Sequence, residues 1–175
     1  SFGSDNYNST INGLTTLPLI VDPEATEVNQ AYASYKGFNT VVKYGRQVIV
    51  YDNQRFIGDV GWRQNQQTYD GFTAVNTSLP GTTFSYAHIV NANRIFGERS
   101  AAGDAEIKGD WLNVSYKGLS FGSITGYAYL IENEPNQPFA VTASNKTLGL
   151  RFDGGVKLGM PKLLYTAEYA KQSDY

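Results

Sequence analysis

Arg55 and Arg63 lie in the stretch DNQRFIGDVGWRQNQQTYD, residues 52–70, with Trp62 beside Arg63 and a run of amides following. Guanidinium is permanently charged, weakly hydrated and forked, so it binds carboxylates in pairs. Such arginines can be solvated loop charges, parts of a buried ion-pair network, or cationic groups facing an anionic partner. Lys43, Arg46, Arg94 and Arg151 extend the basic set, and Asp52, Asp59, Asp70, Asp153 and Glu168 are the carboxylates expected to hold it in place. Trp62 is expected either to anchor its segment or to stack on a sugar face.

Other chemistries have little support. Residues 118–122 read GLSFG, which matches the nucleophile-elbow pattern, but that pattern needs a strand-to-helix turn and a histidine base. Ser120 is expected at the start of a strand, no helix follows, and His88 is the only histidine. No enzyme is therefore expected. His88 alternates with Phe84, Tyr86 and Val90, so it is expected to point with the apolar face, near an aqueous rim. Asp104, Glu106 and Asp110 fit no compact calcium loop and read as solvated acids. The chain has no cysteine, which removes disulfides and thiolate chemistry. Neither a metal nor a cofactor is expected. A net charge of -2 and a pI near 5.4 argue against a nucleic-acid partner.

The elements that must position these residues are β-strands. Of 175 residues only 17% are charged, while 14% are aromatic and 18 are glycine. A mean hydropathy of -0.35 and the lack of a long apolar run exclude a helical membrane protein. Alternating faces cancel in such an average, so a membrane barrel stays open. Residues 1–25 read as an extended loop and 26–175 as a strand meander. The strand-like runs are 28–35, 38–51, 67–78, 82–93, 106–116, 119–131, 146–158 and 162–172. In KTLGLRFDGGVKL, Leu148, Leu150, Phe152, Val156 and Leu158 oppose Thr147, Arg151, Asp153 and Lys157. That two-residue period predicts one long strand; a hairpin turning at 153–155 is the alternative.

Tight turns at 36–37, 79–81, 117–118 and 159–161 alternate with long connections near 52–66, 94–105 and 132–145. In an antiparallel meander all tight turns then lie at one end and all long connections at the other, as in outer-membrane barrels. A soluble β-barrel binding protein or adhesin module is the rival, but its inward face should be apolar. Tyr35, Tyr116, Tyr129 and Tyr169 are candidates for interfacial girdles. The chain is expected to start and finish at the long-loop end, whereas a barrel inserted from the periplasm should have both termini at the other. Eight strands also leave little room for inward charges. The reading is a segment of a larger barrel.

The blocks DPEATEVNQAYASY, KYGRQ, DNQRFIGDVGWRQNQQTYD, SLPGTTFSYAHIVNANRIFGE, LSFGSITGYAYL and KLLYTAEYAKQSDY resemble the alginate export family of bacterial outer-membrane porins. The resemblance spans nearly all of residues 20–175. It implies an all-β, antiparallel up-and-down transmembrane barrel of about eighteen strands, of which this chain supplies about eight. It also implies an arginine-rich lumen that passes anionic polysaccharide or its oligomers, in the bacterial outer membrane. The partners expected are outer-membrane lipid and an anionic saccharide or small anions; the oligomeric state is left open. Lys43, Arg46, Arg55, Arg63, Arg94 and Arg151 then form either a relay of weak sites or a salt-bridge lattice bracing a segment, 52–66, folded into the lumen.

Overall fold

A computed structural model describes residues 6–23, 26–133 and 144–175. Among these the chain forms one antiparallel meander: β1 (Ala31–Gly37), β2 (Thr40–Gln47), β3 (Thr68–Asn76), β4 (Thr82–Asn93), β5 (Asp104–Ala105), β6 (Ile107–Leu119), β7 (Gly122–Asn133), β8 (Asn145–Lys157) and β9 (Lys162–Asp174). The spatial order is β1-β2-β3-β4-β6-β7-β8-β9, with the two-residue β5 on the end of β4. The sheet is not closed. No described helix is long and apolar enough to cross a membrane. The expected connection at 132–145 lies mostly outside the described residues, as do the first residues of the expected 1–25 loop.

The expected strand ends shift where a better burial site exists. The run 38–51 stops as a strand at Gln47, because Ile49 and Tyr51 turn onto the inner face instead of continuing the ladder. Phe38 and Asn39, both at positive φ, make the β1–β2 turn, two residues beyond the expected Lys36-Gly37. Two central residues at φ > 0 are what a hairpin that follows the strand twist needs. Ser120 lies in the tip between β6 and β7, since Leu119 pairs with Gly122, rather than at the start of a strand. β8 is a single strand through Gly154 and Gly155, as the unbroken alternation implies.

Register assigns the two faces. Leu148, Leu150, Phe152 and Val156 of β8 share a face with Leu163, Tyr165 and Tyr169 of β9, and most of these are exposed. Residues 148–156 match the length a strand needs to cross a bilayer. Thr147, Gly149, Arg151 and Asp153 point the other way, toward Tyr127, Tyr129 and Thr125 of β7. A Cβ on Gly149 would collide with the Tyr127 ring, so this glycine lets the ring lie flat on the sheet. Tyr35, Tyr116 and Tyr169 are exposed on the outward face, but Tyr129 is buried on the inward one and joins no girdle. His88 is exposed on the outward face, with Nδ1 3.0 Å from Asp110, which also accepts from the Tyr86 hydroxyl at 2.6 Å.

Candidate lumen site

Between β2 and β3 the chain leaves the sheet and lies across the inward face. Ile57 is 2% exposed and belongs to a core with Ile49, Tyr69, Ala87, Ile89 and Trp111. Burying an isoleucine is worth about 1.5–3 kcal/mol, which makes this side chain a strong anchor. Tyr51 stacks on Tyr129 at 5.8 Å, Tyr129 on Tyr127 at 4.9 Å, and Phe56 packs against both strand tyrosines. Polar contacts add direction: the Asn113 amide donates to Asp52 and to the Tyr129 hydroxyl, both at 2.8 Å. Burial, reinforced by the charge of Asp52, pushes the Tyr51 phenol up to about 12. The segment expected to fold inward does so.

This places one node of paired arginines and carboxylates on the inward face. Arg55 Nη1 reaches Glu168 Oε2 at 3.1 Å, and Arg151 Nη1 approaches the same oxygen at 3.5 Å. Arg151 also grips Asp153 with Nε and Nη2, each at 2.6 Å, and Tyr127 donates to the other Glu168 oxygen at 2.8 Å. The Glu168 side chain is 8% exposed but that of Arg55 is 61%, so Arg55 holds the node from the aqueous side. Beside it lies a cavity of about 470 Å³ lined by Tyr51, Asp52, Asn113, Ser115, Lys117, Thr125, Arg151 and Asp153, among others. Lys43 also faces inward, 4.4 Å above the Tyr32 ring.

The other basic residues gather at the long-loop rim. Alternation puts Arg46 on the outward face with Tyr44 and Val42, not in the lumen. There it binds Asp70 at 3.0 Å, Glu98 at 2.9 Å and the Val28 carbonyl at 3.2 Å. Arg63 is 3.8 Å from Asp22 and 4.3 Å from the Trp62 ring. Arg94 lies 4.7 Å from the Phe96 ring, and burial draws its pKa down. Trp62 is 76% exposed and lines an open cavity of about 340 Å³ with Phe56, Val60 and Gln67; it anchors nothing.

The carboxylates divide in the same way. Asp70, Asp153 and Glu168 hold arginines. Asp59 instead accepts from Gln66 at 2.5 Å and from the Gly61 amide, and Asp52 from Asn113. Glu98 and Asp22 are arginine partners that sequence reasoning missed. The apolar anchors Phe56 and Ile57 were missed too, although an apolar pair in an otherwise polar stretch was a visible signal. No acidic or histidine cluster among the described residues could hold a metal ion.

An outward face that is apolar along β8 and β9, an inward face that carries the Arg55, Arg151 and Glu168 node, and tight turns and long connections at opposite ends define a bacterial outer-membrane β-barrel protein of the porin class, not a soluble barrel. The chain matches the family described as alginate export over residues 5–173, and it belongs to that family. Among solved structures it is similar to Pseudomonas aeruginosa OpdQ, 14% identical, with a TM-score of 0.61 over 82% of this chain and 39% of that one. It is also similar to Pseudomonas aeruginosa OpdL, 15% identical, with a TM-score of 0.63 over 82% of this chain and 38% of that one. At that identity the likeness shows the fold. Curated proteins give no match. The chain spans about two fifths of the length of the solved structures it matches.

Proposed function

We propose that this segment forms part of the wall and constriction of a water-filled channel for anionic saccharides or small anionic solutes. The observation that carries the reading is the node of Arg55, Arg151 and Glu168, held beside an open polar cavity by the infolded segment. A fixed constriction with exposed guanidinium touches a passing carboxylate briefly, and conduction needs such weak, multiple sites. Trp62 offers an exposed aromatic face on the same segment, suited to stacking on a sugar ring. No catalytic step is part of this reading: the GLSFG serine lies at a turn tip without a histidine near it.

The test is the reversal potential of the full-length barrel in planar bilayers under a salt gradient. Anion preference that weakens as salt rises is expected, because the Debye length falls from about 10 Å at 0.1 M to about 3 Å at 1 M. Cation preference in the parent protein would overturn the proposal.

A further inference from the structure

The tight-turn end of the inward face carries a charge pattern that the Arg55 node does not explain. Lys36, Lys117, Lys157 and Lys162 all lie there, and all are exposed. Register puts each of them on the inner side. Lys36 pairs with Val41, on the face of Lys43 and Gln47, and Lys157 is two positions beyond Gly155 and four beyond Asp153. Lys162 alternates with Thr166 and Glu168, and Lys117 lines the same cavity as Arg151.

No Asp or Glu occurs within three residues of any of them in sequence. Among the described residues none of the four is in an ion pair. Lys157 and Lys162 stand directly opposite each other across the hairpin. Like charges in that position are destabilising, and among the described residues no ion pair with a carboxylate offsets the cost. By contrast, at the long-loop end Asp70 and Glu98 pair with Arg46 and Asp22 lies by Arg63.

Neighbouring strands are about 4.8 Å apart, so Lys117, Lys157 and Lys162 span about 15 Å of rim. That is comparable with the Debye length, and their fields add. The inward orientation directs that field at the aqueous mouth, not at lipid headgroups. We infer that these lysines form a separate anion-collecting site at the tight-turn mouth, which captures a carboxylate-bearing saccharide chain arriving from that side. The inference rests on the channel reading and assigns it a sided capture step; a ring of charge at a channel mouth raises the local concentration of its counter-ion and its on-rate.

The experiment uses the full-length barrel in planar bilayers with one orientation of insertion and oligogalacturonate as the probe. Current blockades are counted with the probe added to either side. In the variant carrying Lys36→Gln, Lys117→Gln, Lys157→Gln and Lys162→Gln, the blockade rate from the tight-turn side is expected to fall about tenfold and to lose most of its salt dependence. The rate from the long-loop side should stay within twofold, and heat-modifiable migration in gels should show the variant folded. An unchanged rate from the tight-turn side, an equal fall on both sides, or no blockade of the parent channel would each overturn the site. Failure of the channel reading is seen separately, as cation preference in the parent's reversal potential. A pair variant, Lys157→Gln with Lys162→Gln, gives a smaller fall of the same sidedness if the fourfold variant does not insert.

Discussion

Glu168 is the carboxylate on which Arg55 and Arg151 converge, so its charge is the sharpest probe of whether the node acts on passing ions. Arg55 and Arg151 balance Asp153 and Glu168, and the node is neutral as built. Glu168→Gln makes it +1, and Arg55→Gln makes it -1. Arg151 keeps both of its bonds to Asp153 in either variant, so the wall should stay assembled. A unit charge acts on an ion about 6 Å away in water with about 0.7 kcal/mol, or a factor of about three in local concentration. Anions and cations respond oppositely, so the ratio of their permeabilities should move about tenfold in each variant, in opposite directions. Reversal potentials at 0.1 M salt read this directly, and at 1 M the two variants should converge on the parent. If neither substitution moves the reversal potential at low salt, the node is a brace alone and the relay is refuted.

Other outcomes follow from the same geometry. Ile57→Ala removes the anchor of the infolded segment at a cost of about 2–4 kcal/mol; open-channel noise should rise while heat-modifiable migration stays unchanged. Trp62→Ala should leave folding untouched, since the ring is exposed, but shorten the residence time of a saccharide blocker. Gly149→Val would drive the Tyr127 ring off the sheet and out of its stack with Tyr129, so urea unfolding should occur at a lower midpoint. The Tyr51 phenol is raised from 10 to about 12 in the folded state, so the neutral form favours folding. Its contribution is complete below pH 10 and is lost as pH rises through about 12. Segment release on that alkaline limb should be delayed in Tyr51→Phe, as read by channel noise between pH 9 and 11.5.

The sequence by itself determined the strands, their faces and the sidedness of the connections. A period of two is imposed by the pleat wherever one face meets lipid and the other water, and KTLGLRFDGGVKL writes it out over a full membrane crossing. The inward course of residues 52–66 was expected only from the family resemblance and the arginines the segment carries; the apolar pair that fixes it, Phe56 and Ile57, stood in the sequence unread. Where strand β2 ends was not legible: VIVY continues the alternation, and only the presence of Tyr129, Trp111 and Ile89 on the inward face makes leaving the sheet at Gln47 the better burial. Partner choice was equally a tertiary matter. Arg55 lies 113 residues from Glu168 in the chain and Arg46 lies 52 from Glu98, separations at which spacing carries no information about contact. Sequence marked the arginines as one set. The fold separated them into a node on the inward face and a cluster among the long connections, because strand alternation turns Arg46 outward while the infolded segment carries Arg55 across the inward face.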